Sequence, residues 1–541
     1  MTVTPGTVIV VGAGPTGLAL AGELALAGVR CLVLERRSGL RADSRAICLH
    51  TRSMELLDLR GLAGRFTGAG LAVPSFPLGL KGAVIKFGRL DSDFPYLLDI
   101  PQSQIESLLA ARATELGVDF RWSSQVVGIE QDDHEVRVKL ADGQVERADY
   151  VVGCDGIRSF VRQTLDIPFP GAPNPGSVML ADLRLDGLPM TDAYGDLSDN
   201  GMLLVFPFRD GSCRTVLYDY ARADVPVTEP VTLEEVRSSL VRVAGRDFGP
   251  RDLNWSGRYR SESRQVQQYR HGRILLAGDA AHTHSPAGAQ GMNTGLQDSV
   301  NLGWKLGADL AGWAPPWLLD SYHFERHPIG AAVLELTGRQ FRLNTARTRW
   351  RRTVRWTAHR VVSPLPPVQS WLAETYSGVS IRYPPQSGPP QSGPPPGAVA
   401  SAALGAAAGV MAGSAADRAV GAVVGSPPGS GRGGAAGPAR VHPLTGARLP
   451  RGKLTLPDGS DVRLHGLFAD GRFALLESGS RAGELPPHVR HIRYIQCTGT
   501  RLPASALVRP DGYVAWASDE RDPVARGALA HAAVSAWCSP G

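Results

Sequence analysis

Val8-Ile-Val-Val-Gly-Ala-Gly-Pro-Thr-Gly-Leu-Ala-Leu-Ala-Gly22 is the stretch that decides how this chain folds. Four β-branched residues in a row, Val8 to Val11, read as a strand buried on both faces. Gly12, Gly14 and Gly17 then give the spacing GxGxxG. The first glycine permits a tight turn, the second lets backbone approach a pyrophosphate, and the third lets the following helix lie close to the strand. The helix start presents free N–H groups and a partial positive charge to that phosphate. Gly28 ends the helix, and Arg30-Cys-Leu-Val-Leu-Glu35 follows as a second strand. Glu35 stands 18 residues beyond Gly17 (35 − 17), at a strand end where a carboxylate can hold ribose hydroxyls and repel a 2′-phosphate. Strand, turn, helix, strand and acid predict a dinucleotide-binding βαβ unit for the adenosine half of FAD or NAD.

The chain has 541 residues, enough for two or three domains. Its 43% hydrophobic and 20% charged content is that of a globular protein. The net charge of +6 is mild, and the one basic cluster, Arg347, Arg349, Arg351, Arg352 and Arg355, reads as a solvated helix face. No nucleic-acid partner is expected, and no membrane span, because the long apolar tract Ala398 to Ala416 is mostly Ala and Gly. The first apolar run is the dinucleotide strand itself, with no basic region before it, which argues against a signal peptide. Six scattered cysteines without a CxxC spacing fit reduced thiols and a cytoplasmic location.

Further along, Arg36, Arg37, Arg41 and Arg45 follow the second strand, either as phosphate contacts or as a solvated loop. Gln102 stands at the start of an amphipathic helix. Val126 opens a strand-rich stretch with a hairpin signal at Asp142-Gly143. Ala148-Asp-Tyr-Val-Val-Gly-Cys-Asp155-Gly156-Ile-Arg158-Ser159 repeats the strand–turn–helix logic. There Asp155 either meets a ligand or caps the helix. In residues 177–263, apolar runs such as Met202-Leu-Leu-Val-Phe-Pro-Phe with a turn at Asp210-Gly211 read as antiparallel strands of an inserted sheet able to wall off water. Gly272-Arg-Ile-Leu-Leu-Ala-Gly278-Asp279 is another short strand ending in Gly-Asp. It precedes the Gly/Pro-rich loop Ser285 to Gln290 and a long helix. His282 and His284 read as structural hydrogen-bonding residues. Residues 384–438, with Pro384-Pro-Gln-Ser-Gly in tandem and an Ala/Gly tract, read as a linker or insert. Residues 439–541 read as a small α/β domain.

The GxGxxG with Glu35, the Asp155-Gly156 turn and the Gly278-Asp279 strand end occur in an order and spacing that resemble the single-component FAD-dependent aromatic hydroxylases, the para-hydroxybenzoate hydroxylase fold. Ser377 to Tyr383 and the last domain resemble the phenol hydroxylase branch, which includes aromatic polyketide hydroxylases and rifampicin monooxygenase. The resemblance implies an α/β fold. A Rossmann-like FAD domain (1–176 and 264–383) would carry the inserted antiparallel-sheet substrate domain (177–263), with a thioredoxin-like domain at the C-terminus. It implies that Gly12, Gly14 and Gly17 hold the FAD pyrophosphate and Glu35 the adenosine ribose. Arg36, Arg45 and Gln102 would touch the cofactor further along, and Val126 would meet adenine. Asp279 would bind the ribityl chain or pyrophosphate, and Met292 and Asn293, after Gln290, would hold the flavin ring edge by backbone and side chain. Asp155 and Gly156 lie in the motif tied to FAD and NADPH, with Arg158 close by. Ala289 stands where the family loop often has a second Gly.

The activity implied is NADPH-consuming hydroxylation of an aromatic, polycyclic polyketide-type substrate through a flavin hydroperoxide. Baeyer–Villiger insertion or oxidative ring rearrangement by the same cofactor is the alternative. No catalytic base is identified; Tyr218, Arg214, His284 and Tyr220 are candidates by neighbourhood only. The chain is expected to act as a monomer or homodimer.

Overall fold

A computed structural model describes residues 6–41, 46–345, 348–385, 441–478, 491–498 and 502–539. Arg45 and nearly all of the 384–438 segment lie outside them. The Val8–Val11 run forms the strand Thr7–Val11, and Val8, Ile9 and Val10 are fully buried. It pairs in parallel with Arg30–Leu34 on one side and Tyr150–Gly153 on the other. Beyond these lie Asp119–Arg121 and Ile274–Leu276, also parallel, with Arg270–His271 as an antiparallel edge.

The strand order explains why three motifs far apart in sequence share one site. The chain leaves Thr7–Val11 toward Arg30–Leu34, then returns to the opposite side for Tyr150–Gly153 and Ile274–Leu276. The direction of winding therefore reverses at the first strand. A crevice opens at the carboxyl ends of the strands at such a point. Val11 pairs with Gly153, and Gly153 with Leu276, so the residues after each strand emerge side by side.

Over this crevice stands a five-stranded sheet in the order Tyr194–Leu197, Gly201–Pro207, Cys213–Asp219, Val178–Leu185, Pro250–Tyr259, with every neighbour antiparallel. Its two faces follow the period of two. Met179, Ala181, Leu203, Val205 and Leu217 pack on the Leu233–Ala244 helix, whereas Val178, Leu180, Met202, Leu204, Phe206 and Val216 face the other way. That helix is capped by Thr232, whose side chain accepts from the Glu235 amide, and is ended by Gly245 with φ of 76°.

The last domain has a sheet in the order Ile492–Cys497, Phe473–Ser478, Ser505–Val508, Val514–Ser518. Its first pair is parallel and the others antiparallel, and the Pro523–Cys538 helix packs on it, a thioredoxin-like arrangement. Asp522 caps that helix through the Ala525 amide. All six cysteines are free and buried. Among the described residues, no helix is long and apolar enough to cross a membrane.

Candidate active site

One cavity of about 1210 Å³ runs from the first glycine turn to the face of the five-stranded sheet. Its first half is built from the three strand ends. Gly12 turns with φ of 106°, and a Cβ there would lie 2.6 Å from the Cys154 carbonyl oxygen. A Cβ on Gly17 would lie 2.0 Å from the Gly12 carbonyl oxygen, so the Pro15–Leu26 helix can approach the strand only with glycine there. Gly17 therefore acts behind the cavity and does not line it. A Cβ on Gly14 would meet nothing within 4 Å, because it points into the opening. The helix start at Gly14 has no side-chain cap and no acid in its first turn, so its amides face the cavity.

Glu35 is buried at the end of the second strand. Its Oε2 accepts from the Ala13 amide at 2.9 Å and from Arg37 Nη2 at 3.0 Å. Its Oε1 accepts from the Arg37 amide at 3.0 Å and from Arg37 Nε at 2.9 Å. Burial pushes this carboxyl up, but the bonds from Arg37 and Ala13 outweigh it and its pKa lies below the ordinary value. The four acceptor positions of the carboxylate are thus taken, and a ribose can use Glu35 only by displacing the Arg37 guanidinium. Arg36 is exposed at the cavity rim. Gln102 lines the cavity, accepts from the Ala46 amide at 2.9 Å and donates to Glu106 Oε1 at 2.8 Å. Glu106 lines the same wall and is completely buried, so burial raises its pKa. Sequence pattern gave no sign of it, because it sits one helical turn beyond Gln102 among ordinary amphipathic residues. Val126 is buried in the same wall.

Asp155, Gly156 and Arg158 line the cavity beside the glycine turn. Asp155 Oδ2 accepts from the Val161 amide at 3.1 Å, while Ser159 caps the Phe160–Thr164 helix through the Arg162 amide. Asp155 therefore braces the helix start and borders the cavity at once. Burial raises its pKa. Asp279 lines the cavity at the end of the third strand.

The second half begins at the Gln290–Leu310 helix. Ala289, in the left-handed conformation with φ of 52°, precedes it, and again there is no side-chain cap and no acid in the first turn. Gln290 and Met292 line the cavity; the Gln290 side chain donates through Nε2 to the Tyr376 carbonyl at 2.9 Å. Asn293 departs from expectation. Its Oδ1 accepts from the His50 amide at 2.8 Å, and its Nδ2 donates to the carbonyls of Cys48 and Ala289. The side chain is 1% exposed and faces the interior, because helical geometry turns this position away from the opening that Gln290 and Met292 border.

Beyond this helix the wall is apolar: Phe76, Val178, Leu180, Met202, Leu204, Phe206, Val216 and Phe341. The run Met202-Leu-Leu-Val-Phe206 reads as a strand in sequence, but all five residues are apolar, so only the structure shows which three face the cavity. Phe76 and Phe341 carried no sequence signal, since they arrive from separate elements. Of the four candidate bases only His284 lines the cavity. Burial lowers its pKa to about 4, so it is neutral, and its Nδ1 meets the Ser285 carbonyl at 3.1 Å, which leaves Nε2 as the acceptor. Tyr218 donates to the Pro175 carbonyl at 2.9 Å, and Arg214 is paired with Asp182 beneath Trp255. Neither they nor Tyr220 line the cavity.

FAD fits what is present. Two uncapped helix starts supply donors for its pyrophosphate and flavin edge, Gly14 leaves a cradle that a Cβ would fill, and a buried acid stands where a ribose belongs.

Comparison with known proteins agrees. Residues 6–337 match the FAD binding domain family, and residues 442–540 match the C-terminal domain of aromatic-ring hydroxylases. The chain is 36% identical over 534 residues to a 12-dehydrotetracycline 5-monooxygenase/anhydrotetracycline 6-monooxygenase of Streptomyces rimosus, spanning 94% of each. It is 42% identical over 384 residues to a rifampicin monooxygenase of Streptomyces venezuelae, spanning 70% of this chain and 79% of the relative. Among solved structures, the aromatic hydroxylase CabE from angucycline biosynthesis superposes with a TM-score of 0.77 at 30% identity, covering 99% of this chain and 100% of that one. Glycine turn, buried acid, paired strand ends and matched domains lead to one conclusion: the chain belongs to the FAD-dependent aromatic-ring hydroxylases and is a flavoprotein monooxygenase.

Proposed function

We propose that this enzyme inserts one oxygen atom from O2 into an electron-rich ring of a large, polycyclic polyketide-type substrate, with NADPH as the electron donor. The observation that carries the reading is continuity: one cavity joins the cofactor crevice to a wall of Phe76, Met202, Leu204, Phe206 and Phe341. Such a wall suits a flat apolar ligand and leaves few fixed charges to bind a small ionic one.

The bound FAD supplies electron transfer and oxygen activation; the protein positions and shields it. Gly12, Gly14 and the first-turn amides after Gly14 hold the pyrophosphate. Glu35 exchanges the Arg37 guanidinium for ribose hydroxyls, with Arg36 and Gln102 further along and Val126 against adenine. Asp155 and Gly156 flank the same crevice, and Asp279 takes the ribityl chain or the pyrophosphate. The amides at Gln290 to Met292, at an uncapped helix start, would hold the flavin edge and present a positive helix end to it. The apolar wall excludes water from the reacting region. His284 Nε2 accepts a hydrogen bond from a substrate hydroxyl. With a pKa of about 4 it polarises a phenol rather than carrying its proton away in full.

The test is NADPH oxidation with and without polycyclic phenols of the anhydrotetracycline and angucyclinone type, with products analysed by mass spectrometry under labelled O2. Substrate-stimulated oxidation with one labelled oxygen in a new ring hydroxyl is expected. Full NADPH turnover without any labelled product across such substrates would overturn the reading.

A further inference from the structure

Two of the cofactor-facing segments are tied together by a single buried carboxylate that touches neither cavity nor solvent. Asp298 lies two turns into the Gln290–Leu310 helix and is completely buried. Its Oδ2 accepts from the Gly278 amide at 3.1 Å and meets His282 Nε2 at 2.7 Å. Gly278 is the residue before Asp279, so Asp298 sets the strand-end turn that presents Asp279 to the cavity. Its Oδ1 accepts from Arg326 Nε at 2.7 Å, and Arg326 Nη2 also donates to the Thr294 carbonyl at 3.2 Å. Arg326 and His282 hold this carboxyl below its ordinary range despite burial.

The tie continues outward. Arg326 follows Glu325 on the Ser321–Asn344 helix. Glu325 accepts both arms of Arg509, at 2.7 and 2.9 Å, and the Lys305 ammonium at 2.9 Å. Arg509 belongs to the C-terminal domain, in the turn after the strand Ser505–Val508. That turn plugs into the FAD domain: the Pro510 carbonyl accepts from Arg60 at 3.0 Å and the Asp511 carbonyl from Arg52 at 2.8 Å. Tyr383 closes the circuit. Its hydroxyl accepts from Arg326 Nη1 at 3.2 Å, and its ring lies 5.0 Å from the Arg509 guanidinium. Two-armed arginine contacts fix angle as well as distance, and completely buried partners leave no solvent to substitute for a lost one.

We propose that Arg509, Glu325, Arg326 and Asp298 are positioning residues through which the C-terminal domain holds the Gly278–Asp279 turn in its cofactor-binding geometry. None of the four lines the cavity. The C-terminal domain, which carries no CxxC, thereby acts on the cofactor mechanically rather than by thiol chemistry.

The inference rests on FAD as the ligand of that turn, and its test is affinity. The full-length chain freed of FAD is titrated with FAD by flavin fluorescence, alongside its thermal midpoint, for wild type, Arg509→Gln, Asp298→Asn, the double variant and Tyr383→Phe. Arg509→Gln weakens FAD roughly 2- to 30-fold, the range of coupling carried by residues remote from a ligand. The double variant binds no more weakly than Asp298→Asn alone, because the tie is already cut. A merely structural role predicts a lower thermal midpoint with multiplying, independent effects on affinity, and that result overturns the proposal. So does wild-type affinity in Arg509→Gln. Should that variant fail to fold, Tyr383→Phe, which loses only a hydroxyl, decides: wild-type affinity there also overturns it. Failure of the wild-type chain to bind FAD would instead sink the proposed function.

Discussion

Replacing Gly14 by alanine separates what the glycine turn does for the fold from what it does for the cofactor. The residue has φ of −83° and ψ of 178°, a conformation alanine adopts freely, and a Cβ there meets nothing within 4 Å. Alanine restricts the unfolded chain, a gain of about 0.4–1 kcal/mol. It is also a poorer residue than glycine before a helix, a loss of about the same size. The two oppose, so the stability of the FAD-free protein should change by less than about 1 kcal/mol. The methyl, however, occupies the space that the proposed function gives to the pyrophosphate. Overfilling a close contact costs about 1–3 kcal/mol, roughly 5- to 150-fold in affinity. Gly17→Ala is the contrast: its Cβ would lie 2.0 Å from the Gly12 carbonyl oxygen, so the helix must move off the strand and the fold itself weakens. FAD titration by fluorescence, paired with thermal melting of the FAD-free protein, reads both quantities. Wild-type FAD affinity in Gly14→Ala, or melting as low as that of Gly17→Ala, would refute the reasoning.

Glu35→Gln removes a charge that four donors now share, and should weaken FAD roughly 10-fold or more in the same titration, since bonds to charged groups contribute about 1.5–3 kcal/mol. Phe206→Ala opens the apolar wall; stability should drop by about 3–5 kcal/mol and the ratio of hydroxylated product to NADPH consumed should fall as water enters. Glu325 titrates near 2 in the folded chain, because Arg509 and Lys305 overcome the effect of burial, against an ordinary 4.5. The unfolded chain therefore binds the extra proton between those values, so stability rises with pH across that window and is lost as pH falls through it. Denaturant melts between pH 5 and 2 should show that slope, and Glu325→Gln should abolish this group's share of it while lowering stability at pH 7 by about 3–5 kcal/mol, because the buried Lys305 ammonium loses its carboxylate whereas Arg509 keeps Asp511.

Local pattern sufficed for the parts whose chemistry is written within about 30 residues: the first βαβ unit, Glu35 at its strand end and the three glycines with separate duties. It also sufficed for the inserted antiparallel strands, although the unbroken apolar run Met202 to Phe206 left open which of its faces meets the cavity. These are short-range consequences of backbone geometry and burial. That Gly12, Asp155 and Asp279 share one crevice depended on strand order, and the motif resemblance anticipated it only as a correlation. Pairing of Val11 with Gly153 and of Gly153 with Leu276 is its physical cause. Side-chain direction was illegible. Asn293 looked like a flavin contact and its side chain turned inward, whereas Glu106 looked incidental and stands in the cavity wall. Tyr218 and Arg214 looked like candidate bases until the sheet placed their polar atoms against Pro175 and Asp182. The buried charge network was invisible for the same reason. Lys305, Glu325 and Arg509 are unremarkable in sequence, and only their meeting in an environment without water makes their pairing obligatory.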